Sequence, residues 1–369
     1  MQALILGEIT EDLAVRFGDA IGGLLNATFG NVVEMILGLA ALSRGLYGVV
    51  AASLIGSILS NLLLVLGCCF FFGGLRYHEQ SFNHTANKVA SSLLFMACIA
   101  IIIPSTAKVV YGGGVITPAT LTNLSHVIAV LLICTYVAYL FFQLKTHADV
   151  VAGTPNGSGG AGADEEAEAA PEVTVVPALS LSGALLALTL ITVLVAVASE
   201  LLTGAIEAVS DSWGVNATFL GLIVLPIAGN AAEHITAVFV AVKDKMDLAI
   251  GVALGSSIQI AIFVLPVTVL AGWAMGKDFT LDFDPFAVLM LTVSVILAYF
   301  VSSDGSSNWM LGLQLMLTYA LIGLVFLLET EAPGPGGGEV PDGGVSSAGA
   351  GGGGGVSGGG MLRVGPHAR

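Results

Sequence analysis

The chain has 369 residues, of which 56% are apolar and only 10% are charged. Soluble globular domains carry about 25% charged residues, so this composition excludes an ordinary soluble protein. The formal net charge of −15 excludes a nucleic-acid-binding protein, and much of that charge lies in the segment ADEEAEAAPE.

Long apolar segments predict membrane-spanning helices, because about 20 apolar residues cross the roughly 30 Å hydrocarbon core as a helix. Their hydrophobicity is continuous, not alternating, which favours helices over the strands of a membrane barrel. In chain order, nine spans are predicted, at residues 20–43, 46–73, 88–107, 121–143, 178–203, 216–242, 247–274, 285–302 and 308–329.

Two long segments lie outside these spans. The segment between the fourth and fifth spans is rich in glycine, alanine and acidic residues, so it is predicted to be a solvated linker. The glycine-rich C-terminal segment is predicted to be disordered for the same reason. The predicted domains are therefore a first repeat at 1–147, an acidic linker at 148–177, a second repeat at 178–329 and a tail at 330–369.

The distribution of lysine and arginine predicts the orientation of the chain in the membrane. Six of these residues fall on one side, namely Arg16, Arg76, Lys88, Lys145, Lys243 and Lys245. Three fall on the other side, namely Arg44, Lys108 and Lys277. Because cytosolic loops carry the excess of positive charge, the first side and the acidic linker are predicted to be cytosolic. The C-terminal tail is then predicted to lie in a lumen or outside the cell.

An internal repeat relates the two halves of the chain. The motif GNVVEMI at 30–36 matches GNAAEHI at 229–235, and the Gly-Ser pair at 56–57 matches the pair at 255–256. Both matches need the same shift of 199 residues and no gap. Duplicated halves are typical of secondary transporters, in which the binding site lies where the repeats meet.

The two halves contain different numbers of predicted spans, four in the first and five in the second. The counterpart of the span at 178–203 would lie almost wholly before residue 1, with only MQALILGEI as its last turns. An odd number of spans in a complete half would invert successive halves in the membrane. The expected fold is therefore an all-α polytopic membrane protein with two inverted repeats of five helices. The first repeat is expected to be truncated at its N-terminus.

The repeated motifs predict a polar site inside the membrane. Asn31 and Glu34 are three residues apart and share one helix face, as do Asn230 and Glu233. A glycine precedes each asparagine, and glycine permits an unwound turn that frees backbone carbonyl groups. The following span of each half adds polar side chains. The candidate site comprises Gly30, Asn31, Glu34, Ser57, Gly229, Asn230, Glu233, Ser256 and Gln259, with Ser60, Asn61 and His234 as secondary members.

This oxygen-rich set of side chains suits a hard divalent cation. Ca²⁺ takes about six to eight oxygen ligands, whereas softer metals require cysteine or clustered histidine. Glu34 and Glu233 would neutralise one divalent ion. Without the ion, two like charges in a low dielectric disfavour each other, so the acids are expected to hold protons. Competition between the cation and protons for the same oxygens would produce exchange.

Structural roles remain as alternatives for several of these residues. An acid inside the membrane costs about 2.5–3.5 kcal/mol on insertion scales, so a purely structural role is disfavoured for two acids at matched positions. Asn31 and Asn230 could instead join helices, and the serines could pack at helix contacts. His234 could be a pH-sensitive neighbour of Glu233 or a packed side chain. Glu200 and Glu207 are interpreted as solvated or interfacial.

The sequence resembles the cation/proton exchanger (CAX) family, the Ca²⁺/H⁺ antiporter branch of the calcium/cation antiporter superfamily. The segments that carry the resemblance are GGLLNATFGNVVEMILGLAAL, ASLIGSILSNLLLVLGCCFFFGGLRYHEQ and GLIVLPIAGNAAEHITAVFVAVKDKMDLAIGVALGSSIQIAIFVLPVTVLAGW. The likeness extends from Leu4 to Leu328 and excludes the contents of the linker and the tail.

The resemblance implies ten core helices in two inverted halves, usually with an additional N-terminal helix. It implies exchange of Ca²⁺, or of other divalent cations such as Mn²⁺, for H⁺ across a vacuolar or other acidic-compartment membrane. The family's cation and proton carriers match Glu34 and Glu233. Polar positions along the family's pathway match Asn31, Asn230, Ser57, Ser256 and Gln259, and His234 matches the motif histidine.

The chain departs from the family pattern in its first motif, where Val32 and Val33 replace a small and a hydroxylated residue. These valines could alter selectivity or packing. Two alternative functions stay open: a sodium-coupled exchanger, and a transport-inactive isoform or modulating subunit. The expected partners are Ca²⁺, H⁺ and the lipid bilayer, with a homo-oligomer as an option. Neither a cofactor nor enzymatic chemistry is implied.

Overall fold

The computed structural model describes residue 9 and residues 29–111, 116–147 and 180–329. The segments 1–8, 10–28, 112–115, 148–179 and 330–369 lie outside the description, and with them the predicted linker and tail. The elements in chain order are α1 (Val32–Ser43), α2 (Tyr47–Leu59), α3 (Leu66–Arg76), β1 (Gln80–Ser81), α4 (His84–Tyr111), α5 (Pro118–Phe141), α6 (Leu181–Trp213), α7 (Ala217–Phe219), α8 (Leu225–Gly229), α9 (Ala231–Val242), α10 (Met246–Gln259), α11 (Leu265–Ala274), α12 (Pro285–Ser302), β2 (Ser306–Ser307) and α13 (Trp309–Leu328).

The fold is helical and membrane-spanning, as the sequence predicts. Seven helices among the described residues are long and apolar enough to cross a bilayer, namely Tyr47–Arg76, His84–Tyr111, Pro118–Thr146, Leu181–Ile206, Met246–Ala274, Pro285–Ser302 and Trp309–Leu328. An eighth span forms if the bent pair Ala217–Gly229 and Glu233–Val242 is counted as one. For the first predicted span, the structure describes α1, with only 12 residues, and the helical residues just before it.

One predicted boundary needs correction. The fifth span is predicted to end at 203, but α6 continues without a break to Trp213. It ends there because Gly214 adopts a left-handed conformation, with φ of 64°, at little steric cost. The sixth span, predicted at 216–242, bends by 59° beside Asn230, where the glycine before it permits an unwound turn.

Short π-helical segments interrupt the central spans. Ser60–Val65 connects α2 to α3, and Ile260–Val264 connects α10 to α11, so the two insertions fall at matching points of the internal repeat. Leu220–Val224 joins α7 to α8, and Phe142–Thr146 follows α5. A π-helical segment inside an α-helix is frequently a mark of a functional site, because it turns the following side chains to a new direction.

The central layer of the molecule consists of Tyr47–Arg76 and Met246–Ala274. In the most apolar 18-residue segment of each, 89% and 67% of the residues are buried. In the corresponding segments of Pro118–Thr146 and Leu181–Ile206 only 22% of the residues are buried, so these two spans lie at the periphery and present their side chains to lipid. A helix that is apolar around its whole circumference must be buried or face lipid, and the two layers represent these two cases.

Hydrogen bonds tie the loops at the Lys243 end of the bundle. Gln80 pairs with Ser307 in the antiparallel bridge between β1 and β2. The Asn87 side chain donates to the Ser302 carbonyl at 2.7 Å, so this end of α4 is fixed to the end of α12. The polar ends of spans from both halves of the sequence therefore meet at one membrane edge.

Glycine allows the two halves to approach closely in the central layer. A Cβ atom added to Gly56 in α2 would clash with the backbone of Leu222 in the π-helical segment before α8. Gly255 occupies the matching position in α10, and a Cβ atom there would meet nothing within 4 Å. Small residues at helix contacts in membranes allow such close backbone packing.

We therefore expect Gly56→Ala to destabilise the protein by about 1–3 kcal/mol, the usual cost of overpacking a filled interface. Gly255→Ala is the matched control, and it should leave stability unchanged or raise it, because alanine favours a helix. The thermal midpoint of each purified variant in detergent measures the effect. Equal midpoints for the two variants would contradict the close packing.

Candidate functional site

The two repeated acids lie at equivalent places, each in the first turn of a helix that follows a break. Glu34 is in the first turn of α1, and Glu233 is in the first turn of α9. The preceding asparagines leave the helical conformation, with φ and ψ of −110° and 22° at Asn31 and −99° and 9° at Asn230. The expected unwound turn therefore occurs in both halves, but it lies at the asparagine and not at the glycine before it.

The two carboxyl groups come together inside the protein. Glu34 is 7% exposed, and the carboxyl groups of Glu34 and Glu233 are close enough to interact electrostatically. Residues 199 positions apart therefore occupy one polar site, which the internal repeat predicts. When both acids are ionised, they bring two negative charges to one buried site.

A chain of hydrogen bonds closes the Asn31 side of the site. The Asn31 amide nitrogen donates to Gln259 Oε1, and Ser256 Oγ donates to Asn31 Oδ1 at 3.0 Å. Asn61 Nδ2 in turn donates to Ser256 Oγ at 3.1 Å. The structure thus brings together residues from α1, α10 and the π-helical segment after α2.

The Asn230 side of the site differs, because it contains a cavity. Asn230 is buried beside Glu34, yet its amide nitrogen makes no hydrogen bond of normal geometry within the described part of the chain. The cavity volume is about 10 Å³, which is close to the minimum for one water-sized particle. Its lining includes Glu34, Ser57, Gly229 and Asn230.

Three polar atoms of the site are buried without a hydrogen-bond partner among residues 29–111, 116–147 and 180–329: Glu34 Oε1, Glu233 Oε2 and Asn230 Nδ2. Buried polar atoms are normally paired, and an unpaired one costs free energy. A proton on a carboxyl group, a bound cation or a water molecule would satisfy the two carboxylate oxygens. The arrangement is therefore suited to a small positively charged guest.

The potential metal ligands of the site are the oxygen atoms of carboxylate, hydroxyl and amide groups. Among the described residues, no group of three or more histidine, cysteine, aspartate or glutamate side chains gathers in one place. Two carboxylates with serine and asparagine oxygens are ligands of the kind that Ca²⁺ prefers, and they do not favour a soft metal.

His234 and Ser60 form a separate polar contact next to the carboxyl groups. Ser60 Oγ lies 3.5 Å from His234 Nε2. His234 therefore faces a hydroxyl group on a helix of the first half.

The glycines of the two motifs, Gly30 and Gly229, are both helical. A Cβ atom at either position would clash with no neighbour, so close packing does not require glycine there. Glu200 is 51% exposed, as its interfacial assignment predicts, but it also forms an ion pair with Arg44, with Arg44 Nε 2.9 Å from Glu200 Oε1. The side chain of Glu207 is not described.

The chain matches a family model described as "Sodium/calcium exchanger protein" over residues 2–145 and 183–328. Among curated proteins, it is 45% identical to the Ca(2+)/H(+) antiporter of Aphanothece halophytica, with 90% of this chain and 88% of that protein covered. It is 42% identical to vacuolar cation/proton exchanger 2 of Arabidopsis thaliana, with 88% of this chain and 73% of that protein covered.

Solved structures show the same architecture. The structure of native YfkE matches with a TM-score of 0.72 and 36% identity, and the match covers 89% of each chain. The crystal structure of the H⁺/Ca²⁺ exchanger CAX matches with a TM-score of 0.61 over 88% of this chain and 82% of that one. Identity with the latter is 14%, so that likeness concerns the fold alone.

The Asn31 network predicts different roles for two adjacent serines in α10. Ser256→Ala should destabilise the protein by about 1–3 kcal/mol, because it removes the donor to Asn31 Oδ1 and the acceptor of Asn61 Nδ2. Ser257→Ala is the matched control, since the hydrogen bond of Ser257 Oγ stays within its own helix, to the Ala253 carbonyl at 2.8 Å. Thermal unfolding in detergent measures both, and similar losses would argue against the network.

Proposed function

The chain belongs to the sodium/calcium exchanger protein family, and from this premise we propose that it exchanges Ca²⁺ for H⁺ across a membrane. In this proposal Glu34 and Glu233 together hold either one Ca²⁺ ion or protons. Curated relatives with 38–46% identity are named Ca²⁺/H⁺ antiporters, vacuolar calcium ion transporters or vacuolar cation/proton exchangers, which supports this activity over other cation transport.

The observation that carries the proposal is that two buried carboxyl groups interact, and that one oxygen of each has no hydrogen-bond partner among the residues the structure describes. Two ionised carboxylates without a counter-ion would repel each other strongly in a low dielectric. One divalent cation or bound protons would remove this repulsion. The two occupants therefore exclude each other, and this exclusion couples the two ion flows.

We assign the surrounding oxygens as ligands that complete the coordination of the ion. Ca²⁺ accepts mixed carboxylate, carbonyl, amide and water oxygens, so Asn31, Asn230, Ser57 and Ser256 are suitable members of the shell. Gln259, Ser60, Asn61 and His234 act around it by holding or facing these groups. Mn²⁺ and other divalent cations with oxygen preference are secondary substrates in this proposal.

Access to the ion would alternate between the two sides of the site. The Asn31 side is closed by hydrogen bonds to Gln259 and Ser256, whereas the Asn230 side has a cavity next to Glu34. In the proposed cycle, these two arrangements interchange as the helices at 20–43 and 216–242 rock at their breaks. Discontinuous helices at the membrane midplane serve this purpose in many transporters.

The proposed membrane separates the cytosol from an acidic compartment, such as a vacuole. Several curated relatives carry the word vacuolar in their names, which supports this location. The acidic linker at 148–177 would lie in the cytosol and the tail at 330–369 in the lumen, because lysine and arginine are in excess on the linker's side. The same proposal includes two inverted repeats, at 1–147 and 178–329. It also allows a homo-oligomer.

Charge-neutral variants of the two acids test the assignment. In proteoliposomes with an acidic interior, Glu34→Gln and Glu233→Gln should each reduce uptake of radioactive Ca²⁺ to the level of empty vesicles, because a glutamine neither binds Ca²⁺ strongly nor carries a titrating proton. Glu79 is an exposed acid outside the site, so Glu79→Gln is the control and should transport normally. Continued transport by both site variants would refute the assignment.

The coupling ion is tested with the same vesicles. Because protons compete for the carboxylates, the apparent KM for Ca²⁺ should rise as the pH on the Ca²⁺ side falls, by up to about tenfold per pH unit for each proton displaced. A proton uncoupler should abolish uptake. Uptake that persists with the uncoupler and follows an imposed Na⁺ gradient would support sodium coupling, which the family description also includes.

A further inference from the structure

The helix that carries Glu233 ends in a strained turn. After α9, the Asp244 amide donates to the Ala241 carbonyl at 3.1 Å, and Asp244 adopts a φ of 60°. It is the one non-glycine residue with positive φ among the residues that the structure describes. Such conformations are costly for residues with a Cβ atom, and they persist where the surroundings require them.

A buried glutamine from the first half holds this turn. Gln80 is 1% exposed, and its Nε2 donates to the Ala241 carbonyl at 2.9 Å and to Asp244 Oδ1 at 2.8 Å. Its backbone is fixed by the strand pairing with Ser307. We call Gln80 and Asp244 the polar clamp, since together they attach the C-terminal end of α9 to the first half of the chain.

The internal repeat offers a direct comparison at the other end of the bundle. Gly45 matches Asp244 and also has positive φ, at 79°. Phe279 matches Gln80, is buried, and lies with its ring centroid 6.2 Å from that of Tyr47. The turn after α1 is therefore held by apolar packing. The turn after α9 instead carries an aspartate, whose carboxylate accepts from Gln80.

Space for the clamp is provided by another matched pair of glycines. A Cβ atom on Gly73 would contact Gln80 Oε1, and a Cβ atom on Gly272 would lie 3.3 Å from the Phe279 Cβ atom. Both halves therefore leave room for the residue that fixes the neighbouring turn. The backbone arrangement is the same in the two halves. The turn after α9 is held by hydrogen bonds, whereas the turn after α1 is held by apolar contact.

We propose that Gln80 and Asp244 are positioning residues that act through α9 to hold the Glu233 carboxyl group against Glu34. α9 has 12 residues, or about 18 Å of helix, and its N-terminal end is a break at Asn230. α9 packs along α3 and α10, and the polar clamp fixes its C-terminal end to the first half of the chain. The proposal rests on the proposed function, because it concerns the affinity of that same site.

Variants of Asp244 separate strain from hydrogen bonding. Asp244→Gly relieves the left-handed strain but removes the acceptor, so this variant should fold well and yet show an apparent KM for Ca²⁺ about three- to tenfold higher, with little change in maximal rate. Asp244→Asn keeps an acceptor oxygen and tolerates positive φ, so it should restore the KM to near the wild-type value.

Gln80→Leu completes the test. It should raise the KM as Asp244→Gly does, and the double variant should be little worse than Gln80→Leu alone, because both changes break one unit. A role confined to stability would lower the amount of folded protein and the maximal rate while the KM stays constant. That result, or a wild-type KM in Asp244→Gly, would overturn the proposal.

A measurement without transport distinguishes this proposal from the proposed function. Amide hydrogen exchange over residues 231–242 should be faster in Asp244→Gly and Gln80→Leu than in Asp244→Asn, whichever ion the protein carries. Equal exchange in the three variants would overturn the clamp. If the variants differ as expected but the wild type takes up no Ca²⁺ under a proton gradient, the proposed function fails and the clamp stands.

Discussion

The structure depends on one electrostatic constraint, which is that two carboxyl groups share a buried site and cannot both stay charged without a positive guest. Glu34 and Glu233 interact there, and each has an oxygen without a partner in the described part of the chain. Low dielectric surroundings would make the repulsion between two ionised carboxylates severe, and in the proposed mechanism a divalent cation or protons remove it. The amide and hydroxyl groups around the acids serve this requirement, because they supply further oxygens without adding charge.

The two halves of the chain use a common scaffold for different states of the site. Breaks at Asn31 and Asn230 and π-helical segments at matching positions repeat from one half to the other. The side chains placed on this scaffold differ: Gln259 reaches Asn31, whereas the matching Ser60 contacts His234, and the Asn230 amide nitrogen has no hydrogen-bond partner within the described part of the chain. The Asn31 side of the site is therefore closed by hydrogen bonds while the Asn230 side contains a cavity, and residues of both halves contribute to each side. This difference is what a transporter needs to favour one side at a time.

Much of this arrangement was predictable from the sequence, because its signals are strong and local. Long apolar segments identify spans, and the repeated Gly-Asn-x-x-Glu motif identifies the paired acids and most of their neighbours. The extension of α6 to Trp213 and the ion pair between Arg44 and Glu200 were not predictable. The ion pair depends on a contact between distant parts of the chain. Gln80 was missed for the same reason, since its role arises only when another helix packs beside it.

The most direct test of the central claim is the number of protons released when Ca²⁺ binds to the purified protein. Calorimetric titrations in buffers of different ionisation enthalpy give this number without any transport assay. If the two acids hold protons in the absence of Ca²⁺, binding should release up to about two protons per ion near neutral pH, and Glu34→Gln should abolish or sharply reduce the release. Tight Ca²⁺ binding with no proton release by the wild type would contradict the shared site.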